Sequence, residues 1–164
     1  MLAMSLIGGY APKMPWTIAA NDPQRGSTGL LVEVHAEAHD LPAAFVATFC
    51  RRLFDRNVRV GLIVTPTETA VVRDTLSSMN FMENRYEITS LSTATLFDGA
   101  RIGPPGTAER FLSQVQRWLQ EVSISWHSIL PENALASMVP DVVGHLAGAE
   151  LEVVEDVPAA HAAE

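Results

Sequence analysis

The chain is short of cysteine, lysine and positive charge, and each shortage excludes a class of protein. Its single cysteine, Cys50, cannot close an internal disulfide or supply a cysteine-rich zinc site. Lys13 is the only lysine, so a mechanism that needs a lysine has one candidate. The formal net charge is −8. This charge argues against a general binder of nucleic acid, because phosphate binding needs a positive surface.

Long hydrophobic runs are also missing. No apolar run reaches the roughly 18 residues that indicate a membrane span, and the opening MLAMSLIGGY lacks a basic leader segment. We therefore expect no membrane association and a cytoplasmic location. The 164 residues are 48% hydrophobic and 18% charged, which is typical of a packed globular chain. The sequence predicts one α/β domain over residues 1–156, with a turn-rich part at 1–29, and a flexible tail over residues 157–164.

The clearest local pattern is a strand–helix–strand unit. A β-rich run at Leu30–Ala36 predicts a strand, Leu41–Asp55 a helix, and Val58–Thr65 a second strand. Such a unit predicts parallel pairing with a right-handed crossover. We expect the apolar residues of the helix, namely Phe45, Phe49 and Leu53, to pack against the strand residues Val32, Val34, Leu62 and Val64.

Weaker patterns complete the prediction. Strands are expected at Trp16–Ala20, Thr69–Leu76 and Leu151–Val154, and helices at Ala108–Val122 and Glu132–Ala147, the latter split by Pro140. The segment from Glu87 to Phe97 is either extended or a short helix. The combination predicts an α/β fold with a mixed sheet flanked by helices.

One segment carries residues of interest for chemistry. If the strand continues past Ala36, its period of two places Glu33, His35, Glu37 and His39 on one face. Two carboxylates and two imidazoles in a row could bind a divalent metal ion. The alternative is a solvated face of a half-exposed strand, which alternates in the same way.

An acidic residue in a Val-Glu-Val setting, followed by a helix and another hydrophobic strand, resembles the PD-(D/E)XK, or restriction-endonuclease-like, superfamily. The resemblance covers roughly Pro12 to Leu76 and implies a restriction-endonuclease-like mixed sheet flanked by helices. In that family a Pro-Asp pair and an (Asp/Glu)-X-Lys motif hold Mg²⁺ and position the attacking water. Metal-assisted phosphodiester cleavage needs acidic ligands on a rigid sheet.

The motif is degenerate in this chain. Glu33 falls on the acidic position, whereas His35 replaces the lysine, and at Pro15-Trp16 the tryptophan replaces the metal-binding aspartate. Asp22 is a substitute metal ligand or, alternatively, a turn former. Lys13 is a substitute for the missing lysine or an ordinary surface residue.

A cluster of arginines follows the predicted helix. Arg51, Arg52 and Arg56 are candidates for phosphate contact, although positive charge at the end of a helix also suits the helix dipole.

Three hypotheses about function remain open. The first is a non-catalytic restriction-endonuclease-like module that acts through protein contacts and needs no cofactor. The second is a nuclease that uses Mg²⁺ or Mn²⁺ with Glu33 and His35 in altered roles. The third is that the strand–helix–strand unit belongs to another α/β fold and the motif match is accidental. A homo-oligomer or a complex with another protein is expected, because apolar residues lie in a segment without clear core periodicity, namely Phe81, Met82, Tyr86 and Leu91.

Overall fold

A six-stranded mixed sheet forms the centre of the protein. The computed structural model describes residues 15–38, 40–76 and 85–154. Its strands are β1 (Trp16–Asp22), β2 (Ser27–Val34), β3 (Val60–Val64), β4 (Glu68–Asp74), β5 (Tyr86–Ser92) and β6 (Glu150–Val154). They are ordered β5-β4-β3-β2-β1-β6, and only β2 and β3 are parallel to each other. The predicted α/β class with a mixed sheet is therefore confirmed.

The predicted strand–helix–strand unit lies at the middle of this sheet. Helix α1 (Ala43–Arg56) connects β2 to β3, and the two strands pair in parallel from Leu30 with Val60 to Val34 with Val64. Asn57, whose φ of 57° is left-handed, follows as the C-terminal cap of this helix. A crossover helix is the usual way to join parallel neighbours, because a short turn cannot return the chain to the same end of the sheet.

Helix α1 packs on the face opposite to the one we predicted. Phe49 and Leu53 are buried with Leu31 and Ile63, whereas the alternate strand residues belong to the core on the other face, namely Val32, Val34, Leu62 and Val64. Phe45 was predicted to be buried but is 36% exposed, because it lies in the first turn of α1, next to the end of the sheet. Both faces of β2 carry buried apolar residues, Leu31 on one and Leu30 and Val32 on the other, so alternation alone could not show which face the helix covers.

The contact between α1 and the sheet is close. A side chain at Gly61 would collide with the Phe49 ring, so the absence of a Cβ lets the ring lie directly against β3. Cys50 is buried beside it, as its place on the apolar side of the helix predicts.

The larger core lies on the other face of the sheet. It is covered by α2 (Thr93–Gly99), α3 (Ala108–Ile129), α4 (Glu132–Met138), a π-helical turn (Val139–Val143) and a short α5 (Gly144–Leu146). The long helix α3 contributes Trp118, which is buried in this core. Pro140 was expected to split the helix predicted at Glu132–Ala147, and the α-helix does give way to the π-helical turn at Val139, the residue before this proline.

The ambiguous segment from Glu87 to Phe97 adopts both structures that were considered. Residues up to Ser92 form β5, and Thr93 begins α2. The Ser92 side chain accepts a hydrogen bond from the Thr95 N–H (3.2 Å) and so caps the helix.

Several residues named in the sequence predictions fall outside the described residues. These are Lys13, His39, Phe81, Met82 and the tail from residue 157. Within the part of the chain that the structure describes, no helix combines the length and apolar character needed to cross a membrane.

Candidate functional site

The candidate site lies where strand β2 ends. Glu33 pairs with Thr17 at the start of β1 and with Ile63 on β3. The strand stops at Val34, and the His35 N–H still donates to the Val64 carbonyl oxygen (2.9 Å). This edge, where the carboxyl ends of the two parallel strands meet, is the place at which open α/β sheets commonly bind ligands.

Glu33 is buried in a network of polar side chains. Its Oε2 lies 2.6 Å from Nη1 of Arg52 on α1, and its Oε1 lies 2.8 Å from Nε2 of His35. The Glu33 side chain is only 4% exposed, and that of Arg52 is 21% exposed. The same Arg52 nitrogen donates to the hydroxyl of Thr17 (3.5 Å). The network therefore joins β1, β2 and α1.

The alternative that Glu33 lies on a solvated strand face is wrong, because α1 covers this face. A buried carboxylate needs a partner of opposite charge, since water no longer stabilises it. Arg52 supplies that partner from the helix. Oε1 of Glu33 shares a hydrogen bond with the His35 ring, whereas Oε2 contacts Arg52 as an ion pair without an aligned hydrogen bond.

His35 is held from two sides. Its ring stacks on Phe45 with centroids 4.7 Å apart and planes inclined by 20°, and its Nε2 faces Glu33. When Nε2 carries the proton and donates it to Glu33, Nδ1 is left as the acceptor of the ring. Within the described residues no other hydrogen-bond partner engages the His35 ring.

The motif positions of the first strand do not converge on Glu33. Trp16 pairs with Val34 rather than with Glu33, and it packs against the core on the face opposite to α1. The residue of β1 that faces the network is Thr17. An aspartate substituted at position 16 would therefore lie on the wrong side of the sheet to share a metal ion with Glu33.

Asp22 is also far from Glu33. It ends β1 and pairs with Ser27, five residues along β1 from Thr17, a distance of about 17 Å along an extended strand. Its Oδ1 accepts hydrogen bonds from the N–H groups of Gln24 (2.9 Å) and Arg25 (3.4 Å). Asp22 is thus a turn former, and the structure does not bring it to the candidate metal site.

The three arginines of the predicted cluster on helix α1 differ in their exposure to solvent. Arg52 turns towards Glu33, whereas Arg51 and Arg56 are exposed. Glu37 follows the end of β2 in a turn and is exposed, so the row of side chains predicted from an extended strand stops at His35.

A cleft borders this network, and we call it the end cleft. Its volume is about 440 Å³, within the range of small-ligand sites. It is lined by Pro15, Trp16, Val34, His35, Ala36, Glu37, Ala38, Phe45, Ala108 and Glu109. The cleft thus brings together the ends of β1 and β2, the first turn of α1 and the first turn of α3.

Sequence reasoning missed the role of Arg52 in this network. The signal was present in the spacing, because Arg52 follows Phe45 by seven residues and Phe49 by three, which places it on the sheet-facing side of α1. A charged residue on an otherwise apolar helix face requires a buried partner, and Glu33 is that partner. The contribution of α3 to the cleft carried no such local signal.

Searches for similar proteins give no guide to the site. No known protein family, curated protein or solved structure matches the chain. Among residues 15–38, 40–76 and 85–154, no three histidine, cysteine, aspartate or glutamate side chains are grouped as metal ligands would be.

Proposed function

We propose that the protein is a non-catalytic module on a restriction-endonuclease-like scaffold and that it acts through protein contacts. One observation carries the proposal. Glu33 occupies the acidic position of the motif, and its buried carboxylate is ion-paired to Arg52 and hydrogen-bonded to His35. The carboxylate serves to hold β2 to α1.

Metal-dependent cleavage requires a different arrangement. Mg²⁺ prefers near-octahedral oxygen ligands and usually keeps several waters. An ion at Glu33 would have to displace the Arg52 guanidinium and carry its waters to a residue that is only 3% exposed. The facing residue of β1, Thr17, offers a hydroxyl where a second carboxylate would be needed. The net charge of −8 further weakens the encounter with a polyanionic substrate.

The sheet offers surfaces for protein contacts. Strands β5 and β6 are the two outermost strands of the sheet, and within residues 15–38, 40–76 and 85–154 no strand pairs with the outer side of either, which leaves a row of backbone donors and acceptors. On β5 the side chain of Ile88 is 46% exposed, and on α3 that of Ile124 is 77% exposed. Strand edges with exposed apolar side chains are typical sites for pairing with another chain.

A cleavage assay tests the proposal. The purified chain is incubated with plasmid DNA and with single-stranded DNA and RNA, in Mg²⁺ and then in Mn²⁺, beside the Glu33→Gln variant. We expect no cleavage above that of the buffer with either protein. Cleavage by the native chain that disappears in the variant, while the variant retains its far-ultraviolet circular dichroism, would overturn the proposal and support the nuclease alternative with Glu33 and His35.

A further inference from the structure

The end cleft has aromatic walls. The Phe45 ring stacks on His35 at one side, and Trp16, which is partly exposed, lines the cleft as well. Aromatic faces attract cations through their quadrupole, and a planar guanidinium can stack on them. A flat cationic group therefore suits this lining better than a purely aliphatic group does.

The rim of the cleft is acidic. Glu37 and Glu109 are both exposed residues of its lining, and within the described residues Glu109 forms no ion pair. Glu109 lies in the first turn of the 22-residue helix α3, where its negative charge offsets the partial positive charge of the helix N-terminus. The described lining of the cleft contains no arginine or lysine, and Arg52 nearby on α1 is ion-paired to Glu33.

We propose that the end cleft binds an arginine side chain presented by a basic segment of a partner protein. The guanidinium would lie against the aromatic side chains of the lining, Phe45 and Trp16, and the Glu109 carboxylate would accept hydrogen bonds from its N–H groups. The acidic chain, with its net charge of −8, favours a basic partner in the same way. This inference rests on the proposed function, because it names the partner chemistry of a module that acts through protein contacts.

Two short peptides test the inference without a known partner. Acetyl-Gly-Arg-Gly-amide is titrated into the isotopically labelled full chain at low ionic strength, and amide and indole shifts are followed by nuclear magnetic resonance. The control peptide carries citrulline, which keeps the shape of arginine but has no charge. We expect shifts at Trp16, His35 and Phe45 with the arginine peptide, and binding weaker by about tenfold with the citrulline peptide.

Two variants locate the charge that is recognised. Glu109→Gln should weaken binding of the arginine peptide several-fold and leave binding of the citrulline peptide unchanged. Glu132→Gln is the matched control, because Glu132 is also exposed in the first turn of a helix but lies outside the cleft. Phe45→Leu should weaken the arginine peptide through loss of the aromatic wall while it keeps an apolar side chain.

Equal binding of the two peptides, or equal effects of Glu109→Gln and Glu132→Gln, would overturn the inference. Binding of the arginine peptide to the Lys13→Ala variant but not to the native chain would also overturn it, because Lys13 of the native chain would then be the group that fills the cleft. If the chain alone forms an oligomer and Glu109→Gln returns it to the monomer, the bound arginine belongs to a second copy of this chain. That result would overturn the proposal of a different partner protein. None of these results depends on nuclease activity, so failure here and failure of the proposed function are distinguishable.

Discussion

Glu33 is stabilised by Arg52, a residue that is not part of the sequence motif. Its carboxylate is buried next to Arg52, and the pair holds a strand to its crossover helix. Removing one member of a buried pair leaves the other as an uncompensated charge, which costs more than the pair itself contributes. The identity of the partner, rather than the acid alone, therefore determines what Glu33 does.

We expect Arg52→Ala to destabilise the protein by about 3–5 kcal/mol, because it leaves Glu33 charged and buried. The double variant Glu33→Leu/Arg52→Met should recover most of that loss, since it replaces the pair by apolar groups of similar size. Urea unfolding followed by tryptophan fluorescence measures both free energies. A loss below about 1 kcal/mol in Arg52→Ala would show that the carboxylate has another source of stabilisation.

Cys50 provides a second prediction at the scale of one residue. Burial, assisted by the negative charge of Asp74, raises the pKa of the Cys50 thiol from 9.0 to about 11. A shift of two pH units lowers the thiolate fraction about a hundredfold below pH 9, and the thiolate is the reactive form. Alkylation by iodoacetamide at pH 8 should therefore be slow in the native chain and fast in urea.

The sign of the pH effect on stability follows from the same shift. The folded state holds the Cys50 proton more tightly than the unfolded state does, so this contribution is present below pH 9 and is lost as the pH rises towards 11. Native alkylation as fast as that in urea would contradict the burial of the thiol.

At the scale of elements, helix α1 shows how far the sequence could predict the structure. The existence and order of β2, α1 and β3 were predictable because their apolar periodicities differ, at 3.6 residues for the helix and two for the strands. The face on which α1 packs was not predictable. Leu31 on one face and Val32 on the other are both fully apolar, and only the distant helices α2–α5 determine which core each joins.

The contrast between local patterns, which the sequence shows, and tertiary packing, which it does not, also limited the prediction of the candidate site. The proximity of Glu33 and His35 followed from their spacing on one strand. Trp16 and Glu109 reach the end cleft through tertiary packing, and no local pattern relates residues so far apart in the chain. The register of β1 against β2, which places Thr17 opposite Glu33, also depends on pairing rather than on composition.

The packing of α1 can be tested with two phenylalanines on the same helix. Phe49→Ala should destabilise the protein by about 3–5 kcal/mol, because Phe49 is fully buried against β3. Phe45→Ala should cost about 1 kcal/mol, because that ring is partly exposed and mainly stacks on His35. Denaturant unfolding of the two variants gives the comparison, and similar losses would mean that the two rings are equally buried.

For the whole molecule, the outer strand β5 bears on whether the chain associates with a second copy. Strand β5, of sequence YEITSLS, contains neither proline nor lysine, the residues that commonly protect an edge from pairing. Ile88 is exposed on this strand. Among the described residues nothing pairs with the outer side of β5, so this part of the protein offers an edge on which a second strand can pair.

We expect the isolated chain to self-associate at high concentration, with a mass above the 17.8 kDa of one chain. Ile88→Lys should shift it towards the monomer, because lysine on an edge strand opposes pairing. Ile124→Lys, on the surface of α3, is the matched control and should change the mass less. Light scattering that shows a 17.8 kDa monomer for the native chain at every concentration would contradict self-association.

The pairing of β1 with β6 has a consequence for synthesis on the ribosome. Ala19 near one end of the described chain lies opposite Glu152 near the other, so the sheet is completed by contacts that span more than a hundred residues. Such non-local contacts slow folding, because a long loop must close before they form. A nascent chain that has emerged only as far as α4 can assemble β1–β5, but β1 remains an open edge until β6 leaves the exit tunnel. During that interval β1 is available to chaperones and to neighbouring nascent chains.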